Sequence, residues 1–222
     1  MAAPEGLLVD ANPFPAGLTG ELRRQLEFVV EVDRMKAVLR ASPVASVARR
    51  ENDAEHSWHL ALMVLVLAQH AAEPVDVGRT LELVVVHDLV EVYAGDTVIH
   101  DPAARVGQAE RELAAADRLF ALLPGGQGER LRAAWEEFEA HATPEARFAR
   151  SMDRLQPILQ NWVTGGGSWE DHDVTPADMR ARTGIIADGA PGLWAAAEVL
   201  IDEAARRGLL RPDGEDAAGG AA

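Results

Sequence analysis

The segment RTLELVVVHDLVEVY, residues 79–93, holds three consecutive valines, Val84 to Val86, a run that also reads as a buried strand. Wider spacing breaks the tie. Leu81, Val85, Leu89 and Val92 recur every three or four residues, as on one face of a helix. Gly95 then stands where a helix stops. The segment is therefore expected to be a helix over about 79–93, and that choice makes the chain all-α.

Working outward, the same period continues. Leu22, Leu26, Val29, Val30 and Val38 form an amphipathic segment over about 19–40, ended near Pro43. Asn52 and Glu55 have capping-box spacing and open a helix to about Ala72, with Leu60, Met63, Val64 and Leu67 as its buried stripe. Further helices are expected near 107–123 and 128–141. Thr143-Pro144 opens another, which Pro157 should kink and the glycines at 165–167 end. Thr175-Pro176 and Pro191 open the last two. The expected organisation is an N-terminal segment (1–18), one helical domain (19–211) and a disordered tail (212–222).

The composition narrows the chemistry. The chain has 222 residues, 21 Lys and Arg against 36 Asp and Glu, and a formal charge of −15. Nucleic-acid backbones and anionic membranes need clustered basic residues, so neither is expected as a partner. No cysteine is present, so a metal site must be built from His and carboxylates. The N-terminus lacks the pattern of a secretory signal, and the apolar run Leu60 to Ala68 falls short of the ~20 residues of a membrane span. The expected location is cytoplasmic.

Within the deciding segment, His87 and Asp88 fall in the middle of an apolar helix. A buried acid there needs a cation, hydrogen bonds or a metal. Glu91 follows within one turn and Asp96 just beyond Gly95, so several acids crowd one place and repel unless something positive sits among them. The bland reading is a buried His–Asp pair bonded to backbone. His56, in the first turn of its helix, and Asp153, on a helix between Phe148 and Leu155, are the other groups that could join. For Asp153 the alternative is an ion pair with Arg150 or Arg154. Two imidazoles and two carboxylates suit a six-coordinate divalent ion with positions left for water and phosphate.

The strings ENDAEHS (51–57), HDLVEVYAGD (87–96) and MDRLQPILQNW (152–162) carry a resemblance. In this order they resemble the HD-domain metal-dependent phosphohydrolases, and among them the 5′-deoxynucleotidase-like branch, over about residues 22–163. The resemblance implies a compact multi-helix HD-domain bundle. It implies His56, His87, Asp88 and Asp153 as ligands of one divalent ion, Mn, Co, Mg, Fe, Ni or Zn. Glu91 would orient or deprotonate the attacking water, and Asp96 would hold that water or the leaving-group side. Glu55 is expected to cap its helix.

The implied substrate is a nucleoside 5′-monophosphate. The branch places an Arg-Trp pair before the loop proline, whereas this chain has Ala41-Ser42-Pro43. Arg40, or else Arg49 and Arg50, is expected to hold the phosphate, and selection of 2′-deoxy sugars should be blunted. Readings kept beside this one are a triphosphate or alarmone hydrolase, a non-catalytic nucleotide-binding regulator and a di-iron oxygenase. A homodimer is expected from apolar helices in excess of one core.

The remaining groups read more plainly. His59 is a helix histidine or a neighbour of the ligands, while His70, His100, His141 and His172 read as surface. Trp135, Trp162 and Trp194 read as core. Residues 161–173 read as a flap or a linker.

Overall fold

The computed structural model describes residues 14–95 and 106–214. Asp96, His100, most of the N-terminal segment and most of the tail lie outside the described residues.

In chain order the helices and strands are α1 (Gly20–Val32), β1 (Leu39–Pro43), β2 (Arg50–Asn52), α2 (Asp53–Leu67), α3 (Val77–Val86), α4 (Glu91–Ala94), α5 (Gln108–Phe120), α6 (Gln127–Ala140), α7 (Pro144–Val163), α8 (Ser168–Asp171), α9 (Pro176–Thr183), α10 (Ile186–Gly189) and α11 (Pro191–Arg206). The architecture is mainly helical, as expected. The centre is α7, which packs against α2, α3, α6, α10 and α11. Leu60, Val64, Leu83, Val84, Phe148, Met152, Ile158 and Ile201 form the core between these helices.

Local chemistry explains the boundaries. Asn52 caps α2 in a full capping box. Its Oδ1 accepts the Glu55 N–H at 3.0 Å, and a Glu55 carboxylate oxygen accepts the Asn52 N–H at 3.2 Å. Thr143 caps α7 by accepting the Ala146 N–H at 3.1 Å, with Pro144 in the first turn. Pro157 lies inside α7 and has no N–H to give the Asp153 carbonyl.

Two expectations change. The segment 19–40 is not one helix: α1 ends at Val32, a 3₁₀ turn covers Asp33–Ala37, and β1 follows. That strand pairs antiparallel with β2, Leu39 opposite Asn52 and Pro43 opposite Arg50, around a loop closed by Val44 N–H to Arg49 O at 2.9 Å. Residues 39–52 hold neither a β-branched run nor a tight-turn dipeptide, so local pattern gave no warning of the hairpin.

The helix expected over 79–93 stops at Val86 and resumes as α4. His87 Nδ1 lies 2.9 Å from Val84 O, the acceptor that the Asp88 N–H would use if the helix continued. The turn then tightens to three-residue spacing, Leu89 N–H to Val86 O at 3.1 Å and Glu91 N–H to Asp88 O at 2.9 Å.

Residues 161–173 cover the end of α7, a glycine turn and α8, packed against the body of the fold. Trp169 is buried, and Asn161 Oδ1 accepts both the Ser168 N–H at 2.6 Å and its hydroxyl at 3.1 Å. Gly167 closes this turn at φ +46°, where an added Cβ would stand 2.4 Å from Asn161 Oδ1 and 2.8 Å from Pro43 Cγ.

Candidate metal centre

Four side chains from separate places in the chain converge beside the middle of α7. His56 comes from the first turn of α2, His87 and Asp88 from the tightened turn after α3, and Asp153 from the middle of α7. All four are buried. His56 Nε2 lies 3.2 Å from Asp153 Oδ1 and 3.9 Å from Asp88 Oδ2. His87 Nε2 lies 2.9 Å from Asp88 Oδ2 and 3.9 Å from Asp153 Oδ1. A divalent ion with ligands at about 2.0–2.3 Å spaces adjacent donors by about 2.8–3.3 Å and opposite donors by about 4.0–4.6 Å. The two shorter distances match adjacent donors, and the two at 3.9 Å fall just short of opposite ones.

The orientation of His87 tests the fit. Its Nδ1–H points at Val84 O, which leaves the Nε2 lone pair facing the Asp88 carboxylate at 2.9 Å. That contact lacks hydrogen-bond geometry, and Nε2 is buried without a hydrogen-bond partner. Two acceptors at this separation repel unless a cation, whether a proton or a metal ion, lies between them. A divalent metal is such a cation, and its donor set here is nitrogen and oxygen only.

His56 is held from behind. Its Nδ1 is 3.2 Å from Gln156 Oε1 and 3.5 Å from Glu51 Oε2, which leaves Nε2 directed at the centre. Gln156 Nε2 donates to Glu51 Oε1 at 2.8 Å, and Gln160 Nε2 donates to the same oxygen at 2.7 Å. Burial raises the Glu51 pKa, but His56 and the two Gln amides outweigh it and bring it below the usual range. Burial and Arg40 lower the His56 pKa, yet Asp153, Glu51 and Asp88 lift it to about 9. Asp88 and Asp153 are held well below the ordinary carboxylate range. Burial opposes this, but His87 and Arg40 dominate at Asp88, and Arg154 with His56 at Asp153.

Arg40, on β1, donates from Nη1 to Asp88 Oδ2 at 2.8 Å and to Asp53 Oδ1 at 3.2 Å. Asp53, Asp88 and Glu91 form a second cluster with ligand atoms within 4.8 Å of one another. A small, almost entirely polar cavity of about 100 Å³ opens here, lined among others by Arg40, Asp88, Glu91, Glu139, Arg150 and Arg154. Arg49 and Arg50 are placed elsewhere, on the exposed hairpin. Arg49 donates there to both Glu55 carboxylate oxygens, at 2.7 and 2.5 Å, because the cap fixes Glu55 within its reach. Asp96 lies outside the described residues.

Several neighbours escaped the sequence reading. Glu51, Asp53, Gln156 and Gln160 are buried polar residues, but their partners are about a hundred residues away or on another element. One signal was present: Asp153, Gln156 and Gln160 fall at i, i+3 and i+7 on one face of a helix that also holds Leu155, Ile158 and Leu159. The two oxygens of Asp153 face different groups. Its Oδ1 faces the histidines, while its Oδ2 lies 3.7 Å from Arg150 and 3.8 Å from Arg154. His59 Nδ1 lies 3.2 Å from Gln156 Nε2, behind the centre. His141 is half-buried rather than on the surface, because it ends α6 in the left-handed conformation against Phe138. Trp135 is buried as expected, and Trp162 and Trp194 pack against the core.

Known proteins resemble this chain in sequence and fold. The family model described as an HD domain matches residues 32–194. The curated 5′-deoxynucleotidase HDDC2 of Bos taurus is 32% identical over 174 residues, which covers 78% of this chain and 81% of that protein. Its Homo sapiens counterpart is 30% identical, covering 71% and 74%. The crystal structure of a predicted metal-dependent phosphohydrolase from Magnetospirillum magnetotacticum MS-1 superposes with a TM-score of 0.83 at 48% identity, covering 86% of this chain and 96% of that one. Matching fold, ordered His and Asp residues and their convergence agree: the chain belongs to the HD-domain family of metal-dependent phosphohydrolases.

Proposed function

We propose that this protein hydrolyses nucleoside 5′-monophosphates to a nucleoside and phosphate. The observation that carries the reading is the buried His87 Nε2 set against Asp88 Oδ2 at 2.9 Å beside an arginine-lined polar cavity. A cation site open to an anion site is what phosphomonoester hydrolysis needs. The nucleotide part rests on the names of the HDDC2 relatives.

His56, His87, Asp88 and Asp153 would hold the metal. A divalent ion there would make a water more acidic and neutralise phosphoryl charge. Glu91, on the cavity wall, orients the attacking water and takes its proton, and Asp96 assists on the leaving-group side. Arg40 holds Asp88 in place. The acidic wall residues Glu112 and Glu139 disfavour the added charge of a triphosphate. A homodimer belongs to the same reading. Its support is an exposed apolar stripe on α2 formed by Trp58, Leu62, Leu65 and Val66.

The test is phosphate release from AMP, dAMP and ATP by protein loaded with each candidate metal. Ala41 and Ser42 replace the Arg-Trp pair, so AMP and dAMP should show comparable kcat/KM, and ATP should be poor. A deoxy preference above about 10³ would mean that other residues check the sugar. Absence of release from every monophosphate would refute the reading.

A further inference from the structure

We propose that Arg150 and Arg154 of α7 form a clamp for the phosphoryl oxygens of a phosphate monoester. The inference rests on the phosphohydrolase reading and adds to it the groups that receive the anion. The two arginines stand at i and i+4, so they share one helix face on either side of Asp153. Both line the polar cavity together with His87, Asp88 and Asp153.

Their hydrogen-bonding capacity suits an anion. Arg150 Nη1 is 3.9 Å from Glu139 and 3.7 Å from Asp153 Oδ2, and Arg154 Nε is 3.8 Å from that oxygen. These are ion-pair distances beyond hydrogen-bond length. Arg150 Nε is buried with no hydrogen-bond partner. Arginine carries five N–H donors in a planar fork that matches phosphate oxygens. By contrast, Arg40 directs Nη1 to Asp88 and Asp53, which makes it a positioning residue for a metal-binding carboxylate.

Electrostatics agree with the geometry. Three guanidinium groups line the cavity together with Asp88, Glu91, Glu112, Glu139 and Asp153, so the arginines supply the positive side of an otherwise acidic pocket. Asp153 joins the two halves, with Oδ1 toward the imidazoles and Oδ2 toward the arginines. A phosphoryl group in the cavity is thus flanked by the metal-binding face on one side and the arginines on the other. Glu139 and Glu112 stand on the same wall, so the clamp suits one phosphate and not a chain of them.

The test measures inorganic phosphate binding by calorimetry to Mn²⁺-loaded wild type and to R150Q, R154Q, R150K and R154K, with metal content determined for each. Each Gln variant should bind phosphate about 10- to 100-fold more weakly, as for loss of a charge-assisted hydrogen bond, with metal content unchanged. The Lys variants should fall between, because a point charge replaces the fork. KM for the monoester should rise with the phosphate Kd. Wild-type phosphate affinity in both Gln variants, loss of metal with loss of phosphate, or no phosphate binding by wild type would each overturn the clamp. Should a Gln variant fail to fold, its Lys variant decides: several-fold weakening supports the clamp, and wild-type affinity overturns it. Clamp-dependent phosphate binding without turnover of any ester would leave the clamp standing and refute the phosphohydrolase reading alone.

Discussion

Glu51 offers the sharpest test of how the centre is held, because two substitutions there separate stability from metal binding. The carboxylate is 3% exposed, and its Oε1 accepts hydrogen bonds from Gln156 and Gln160. Glu51→Ala removes that acceptor and leaves one N–H of each buried amide without its partner. At about 1–3 kcal/mol for each, the loss is about 2–6 kcal/mol out of a typical 5–15. For a chain of this size it corresponds to a fall in Tm of roughly 5–20 °C.

Glu51→Gln keeps the shape and one acceptor oxygen, so the fall in Tm should be at most a few degrees. Its new amide, however, turns an N–H toward His56 Nδ1, where Glu51 Oε2 stood at 3.5 Å. This disfavours a proton on Nδ1 and moves it to Nε2, the nitrogen directed at the centre. Metal affinity should then drop about 10- to 100-fold, the usual effect of losing a group that orients a ligating histidine. Calorimetric melting and competition with a chelator measure the two effects. Wild-type metal affinity in E51Q would refute the orienting role, and an unchanged Tm in E51A would refute the hydrogen-bond accounting.

Three further outcomes are expected. Glu91→Ala should retain metal while turnover of the best monophosphate falls about 10²-fold or more, and full turnover would remove Glu91 from the mechanism. Burial, then Arg150 and Arg154, hold the His141 pKa down at about 4, against an ordinary value near 6.5. As pH drops from 6.5 toward 4, the unfolded chain takes up a proton that folded His141 refuses, so this contribution to stability is present above that window and lost within it. His141→Asn, which suits the left-handed backbone there, should therefore lose less Tm than wild type between pH 7 and 5; equal losses would refute the assignment. Sedimentation should show a dimer that Leu65→Glu dissociates without lowering metal content, and a monomeric wild type would refute the proposed α2 interface.

The order of helices, the cap at Asn52 and the grouping of His87, Asp88 and Glu91 were legible from sequence because each depends on neighbours within a turn or two. Spacing along a helix decides which side chains share a face, and a capping box is complete within a few residues. The ligand candidates His56 and Asp153 were legible only as misfits, polar groups on apolar helices whose partners sequence could not name. The family resemblance, not the spacing, joined them.

Tertiary structure alone decided the rest. The hairpin that carries Arg40 and Glu51 to the centre is paired across a loop and lacks strong local β signals. At the break after Val86 one imidazole takes a backbone acceptor, a contact that hydrophobic period cannot record. Arg49 and Arg40 are equally basic in sequence; packing turns Arg40 to Asp88 and leaves Arg49 on Glu55. Burial and the direction of each lone pair are properties of packed neighbours, and they separate a metal centre from a scatter of polar residues.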